Sequence, residues 1–132
     1  MRTNKIFFIA DDDADDRELF IEALRSIDPN CGCITALDGE DALSQLNGGL
    51  QQLPDFIFLD LNMPRVNGRE CLAAIKQSAV TNKIPVIIYS TSAEKKDMEA
   101  AIAAGAAYFL QKPNRFDDLS KALSNIISRN WD

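Results

Sequence analysis

The chain contains no histidine. That excludes Ser-His-Asp and Cys-His catalysis, and every metal site that needs an imidazole ligand. Cysteine is scarce: only Cys31, Cys33 and Cys71 are present. An odd count this small argues against a disulfide framework. Cys31 and Cys33 stand at strand spacing and would share one face of a strand. They read as small core residues, not as metal ligands. Long apolar runs are missing too. None is long enough to span a bilayer, and the run behind Met1 is too short for a secretory signal. A cytoplasmic protein with no membrane attachment is the expectation. Positive charge is in deficit: 14 Lys+Arg face 20 Asp+Glu, for a net charge of -6, and no basic cluster stands out. Direct nucleic-acid binding needs such a cluster. A cation, or a basic partner surface, suits this chain better.

What is present begins with "IADDDADDRELF". Asp11, Asp12, Asp13, Asp15 and Asp16 crowd against the apolar run "KIFFIA". Unit charges about 4 Å apart repel by roughly 1 kcal/mol in water, and by more in partly dry protein. Either water screens them or a cation belongs there. Asp15 and Asp16 read as solvated, first-turn residues favoured by a helix dipole. Asp13 reads as the N-cap of that helix. Asp11 and Asp12 differ, because they end an apolar segment.

With 132 residues, 46% of them hydrophobic, the chain is expected to form one domain, residues 1–132, with no output domain attached. Five short apolar runs, at 5–10, 33–37, 56–60, 85–90 and 107–111, are rich in Ile, Val, Phe and Tyr. Most do not alternate with polar residues, as befits strands covered on both faces. A helical pattern follows each. Phe20, Ala23, Leu24 and Ile27 form one stripe, and Cys71, Leu72 and Ile75 another. Leu119, Leu123, Ile126 and Ile127 form the last. The fourth helix is mostly alanine, with Met98 and Ile102 as its larger anchors, and reads as weakly docked. Asp38, Asn67 and Asn114 are candidate N-caps, and Gly48 and Gly105 stand past helix ends. Strand–helix alternation repeated five times gives a parallel sheet with helices on both faces.

In such sheets ligands bind beyond the carboxyl ends of the strands. There the pattern brings Asp11 and Asp12, Asp60, Ser90 with Thr91, and Lys112 with Pro113. Carboxylates with backbone carbonyls make a hard oxygen site suited to Mg²⁺. A lysine and a hydroxyl are what a phosphoryl group requires beside it.

These residues carry a family resemblance. "FFIADDD", "FLDLNMPRVNGRE", "IPVIIYSTSAE" and "AAYFLQKP", in this order and from about Lys5 to Ile127, resemble the receiver domain of two-component response regulators, in particular CheY-like single-domain regulators. The resemblance implies a doubly wound, flavodoxin-like α/β fold of five parallel strands in the order 2-1-3-4-5 with five helices. It implies that Asp60 accepts a phosphoryl group from a histidine kinase or a phosphotransfer protein. Asp12, Asp60 and the backbone carbonyl of Asn62 would hold Mg²⁺, with Asp11 acting through water. Lys112 would pair with the acceptor, Ser90 would be the switch hydroxyl, and Phe109 the aromatic that moves with it. It also implies a cis Lys112–Pro113 bond. Output would run through protein contacts on residues 93–129, to a target the sequence does not name, from a monomer or a phosphorylation-linked dimer.

Rival readings are a phosphorelay intermediate and an aspartate-nucleophile phosphatase. The phosphatase motif needs a second acid where this chain has Asn62, so a signalling switch that is not an enzyme is expected. Asp11, Asp13, Asp15 and Glu22 mimic an EF-hand spacing, but Asp16 stands where that loop needs glycine.

Overall fold

The computed structural model describes residues 5–129. Strand β1 (Ile6–Ala10) leads through the Asp11–Asp13 turn into α1 (Ala14–Ile27). Then come β2 (Gly32–Ala36), α2 (Gly39–Ser44), β3 (Phe56–Leu59), α3 (Gly68–Gln77), β4 (Val86–Ser90), α4 (Lys95–Ala103), β5 (Tyr108–Gln111) and α5 (Phe116–Ser128). All strand pairs are parallel, and the order is β2-β1-β3-β4-β5. The doubly wound sheet expected from the sequence is the fold observed.

Alternate side chains of the central strands enter two cores. Phe8, Ile57, Leu59 and Ile88 meet Leu72 and Ile75 of α3, with α2 and α4 on the same side. Phe7, Ile9, Phe58 and Ile87 meet Phe20 and Leu24 of α1 and Leu123 of α5. Burial on both faces is why β1, β3 and β4 read as unbroken apolar runs. The edge strands β2 and β5 are only partly covered. Among the described residues no helix is long and apolar enough to cross a membrane.

The helix starts show where local sequence decides. The side chain of Asp13 accepts from the N–H groups of Asp15 and Asp16, and Asp38 accepts from Asp41. Asn67 and Glu70 form a reciprocal capping box on α3. Asn114 does not cap α5. Arg115 stands at that position with no side-chain cap, because the chain is still extended there and the helix starts one residue later. On α4, Ile102 is 51% exposed, and the small Ala101 faces the core in its place. Phe109, half-buried, packs against the same core as Ala101. Cys31 precedes β2 and Cys33 lies within it, their sulfurs 3.9 Å apart. Both are free thiols in or beside the core, as expected.

Candidate functional site

The ends of β1, β3, β4 and β5 bring Asp11 and Asp12, Asp60, Ser90 and Lys112 to one edge, while Asp38 after β2 caps α2. The Asp11 N–H donates to Ala36 O at 3.2 Å, and the Asp60 N–H to Ala10 O at 3.0 Å, so the sheet ladder continues one residue past β1 and β3. The Lys112 N–H donates to Ser90 O at 2.7 Å and does the same for β5. Asp11 is fully buried and Asp60 nearly so, while Asp12 is exposed. Carboxylate oxygens of Asp11, Asp12 and Asp60 all lie within 4.8 Å of one another.

The Lys112 ammonium joins this group. It donates to Asp11 Oδ2 at 2.8 Å, to Asp16 Oδ2 at 2.8 Å and to Asp60 Oδ2 at 3.3 Å. The face of Tyr89 lies on it too, with the ring centroid 5.2 Å from Nζ. Burial alone would lower the lysine's pKa. Its hydrogen bonds to Asp11 and Asp16 outweigh that, raise it, and keep the group charged. Burial pushes the Asp60 carboxyl up to about 6 against the pull of Lys112, and Asp11 adds to the rise.

The Asn62 N–H donates to Asp60 Oδ1 at 3.3 Å, which tucks the loop after β3 back over the acid. That loop is tied down twice more. A side chain on Gly68 would collide with the Asp60 carbonyl, so only glycine lets α3 start so near. Arg65, at φ 69 in the left-handed region, places its guanidinium 2.8 Å from Asp38 Oδ2 and links the loop to the start of α2. Ser90 is fully buried, and its Oγ accepts from the Ser92 N–H at 3.2 Å. Ser92 Oγ in turn donates to Asp97, which Arg69 of α3 also holds at 2.8 Å. Phe109 pairs with Ile88, two residues before Ser90, on the α4 side of the sheet.

The fit to a divalent cation can be judged from the donors. Asp11, Asp16 and Asp60 hold one ammonium and Asp12 lies beside Asp11 and Asp60, which leaves negative charge uncompensated. Three of these offer hard oxygens within the span of one ion's first shell, as Mg²⁺ or Mn²⁺ requires.

The model for the response regulator receiver domain matches residues 7–124. The chain belongs to that family. Three relatives bear on this receiver. The response regulator Rcp1 of Synechocystis sp. is 32% identical over 94% of this chain and 87% of its own length. A probable methanogenesis regulatory protein, FilR2, of Methanothrix harundinacea is 37% identical over 67% of this chain, and the match spans 59% of that protein. The phosphorylated cyanobacterial phytochrome response regulator RcpA superposes with a TM-score of 0.86 at 30% identity, covering 94% of this chain and 91% of that one. Rcp1 has also been solved in an Mn²⁺-bound form, with a TM-score of 0.82 at 32% identity over 94% and 92% of the two chains.

Asp11, Asp12, Asp60, Ser90 and Lys112, the candidates named from sequence, lie at one sheet edge. Two features differ. Asp16 is not a mere solvated first-turn acid, because it holds Lys112. With Asp13 as N-cap, Asp16 is the third helical residue, and side chains there lean back toward the helix start, over the strand ends. That position was the signal. The Lys112–Pro113 bond is trans, not cis. Trans is the lower-energy isomer by about 0.5–1 kcal/mol, and the long lysine stem reaches the acids without the other isomer. Arg65 and Tyr89 carried no sequence signal, since their partners lie far along the chain.

Proposed function

We propose that this receiver is a phosphorylation-dependent signalling switch with Asp60 as its phosphoryl acceptor. The observation that supports it is the placing of Asp60: at a strand end, beside Lys112, within one ion's reach of Asp11 and Asp12. A carboxylate oxygen of Asp60 attacks phosphorus in line. The bond from phosphorus to a donor histidine nitrogen, or to a small acyl phosphate's oxygen, breaks as the new P–O bond forms. The imidazole, or the carboxylate, leaves with the electron pair. Lys112 donates to an oxygen of the transferred group and offsets its charge. Asp12, Asp60 and the Asn62 carbonyl, with Asp11 acting through water, would hold Mg²⁺, which would supply charge neutralisation for the same oxygens. Ser90 donates its hydroxyl to the phosphoryl group, and Phe109 follows into the space vacated.

A histidine kinase or phosphotransfer protein is the donor on this reading, and a protein surface is the recipient. Asn62 is an amide where the aspartate-nucleophile phosphatase motif needs a second acid, so rapid turnover of a small substrate is not expected. The test is labelling with acetyl phosphate and Mg²⁺. Wild type should acquire a hydroxylamine-labile phosphoryl group, and Asp60→Asn should acquire none. Equal labelling of Asp60→Asn would place the nucleophile elsewhere.

A further inference from the structure

Lys112 is gripped by three carboxylates, and one of them is not part of the acidic cluster that fits a cation. Asp11 and Asp60 belong to that cluster; Asp16 does not. Yet Asp16 Oδ2 is as near to Nζ as Asp11 Oδ2, each at 2.8 Å, while Asp60 is farther, at 3.3 Å.

Two of these three contacts are open to competition. Asp11 Oδ1 already accepts from the Asp13 N–H at 3.0 Å, so Oδ2 is the oxygen Asp11 shares with Lys112. A cation drawn to Asp11 competes with the lysine for it. The carboxylate of Asp60 becomes an acyl phosphate when it takes phosphorus and no longer offers the lysine a free carboxylate. Asp16 is touched by neither event. Its backbone is pinned, because its N–H donates to Asp13 Oδ1 at 3.2 Å in the cap of α1. On the lysine's other side lies Tyr89, whose ring packs 5.4 Å from that of Phe20 in the same helix. A lysine stem is flexible, and without a fixed partner its ammonium is free to turn to water.

We infer that Asp16 is a positioning residue for phosphoryl transfer: it retains the Lys112 ammonium over Asp60 when cation and phosphorus have claimed the lysine's other partners. This rests on the reading of Asp60 as acceptor. Asp16 itself touches neither phosphorus nor metal, and acts through Lys112.

The test uses the full chain, acetyl phosphate and saturating Mg²⁺. Asp16→Ala should label Asp60 roughly tenfold more slowly, the size of one lost charge-assisted hydrogen bond. Its affinity for Mg²⁺, followed separately by titration calorimetry without phosphodonor, should stay within about twofold, a change that amounts to roughly 0.4 kcal/mol or less. Asp16→Asn keeps an acceptor oxygen in place and should recover much of the rate. In a Lys112→Ala background, Asp16→Ala should slow labelling no further, since residues acting through one contact are not additive. An unaltered or faster rate in Asp16→Ala overturns the proposal. So does equal slowing in the Lys112→Ala background, which would assign Asp16 to the stability of α1. If wild type takes no label, the acceptor reading fails and the proposal falls with it. If wild type labels and Asp16→Ala labels equally well, only the proposal falls.

Discussion

Asp60 holds its charge against burial. Its carboxyl is raised from 3.8 to about 6, with burial the largest cause. Between those values the folded chain binds more protons than the unfolded one, so its stability falls as pH rises through that window. Above pH 6 the penalty is fully present. Asp60→Asn removes it. In chelator, the substitution should raise the melting temperature by several degrees at pH 7 and flatten its dependence on pH between 4 and 6. A melting temperature that drops at pH 7 would show that the charge is not under strain. Gly68 is constrained at the same scale. An alanine Cβ there meets the Asp60 carbonyl and sits 2.7 Å from Leu61 Cα, both backbone atoms that cannot swing aside. Gly68→Ala should cost about 1–3 kcal/mol by denaturant titration, as overpacking does. It should also displace Asp60 and weaken labelling. The "NG" at 67–68 was legible as a turn; that its glycine touches the backbone of Asp60 was not, because the contact joins a helix start to a strand end.

Among α1, α3, α4 and α5, α4 is the least secured. Its one fully buried residue is Ala101, whereas α1 buries Phe20, Ala23 and Leu24 and α5 buries Leu119, Leu123 and Ile126. Few buried apolar contacts mean easy local opening. Amide exchange should be faster across 95–103 than across the centres of α1 and α5. A phosphoryl mimic at Asp60 should alter exchange around residues 90–110. In Ser90→Ala the phosphoryl group should still be accepted while that alteration is lost. Changes confined to α1 would remove α4 from the output path. The weakness of α4 was legible from its alanines, but its anchor was not. Size alone ranked Ile102 above Ala101, and the face that α4 turns to the core reversed the order. The caps at Asp13, Asp38 and Asn67 were legible because each bonds within three residues. Arg69, Ser92 and Asp97 were not, since they join three separate segments.

At the scale of the whole molecule, the acidic edge should couple folding to metal. Asp11, Asp12 and Asp60 repel in the native state and only there, so a cation that binds them stabilises the fold by mass action. At one hundred times its dissociation constant the gain is about 2.7 kcal/mol. Mg²⁺ should raise the melting temperature accordingly, and Asp12→Ala should abolish most of the rise. An undiminished response in Asp12→Ala would move the metal elsewhere. The sequence by itself determined the strands, the helices and the edge where chemistry collects, because apolar periodicity and N-capping act over a few residues. Tertiary structure alone decided how charge is shared there. Lys112 lies 96 residues from Asp16 and 101 from Asp11, and only the assembled sheet with α1 packed on it brings them within 2.8 Å. The third helical position lets Asp16 lean toward the strand ends, but which acids grip the lysine is fixed only by how α1 packs on the sheet.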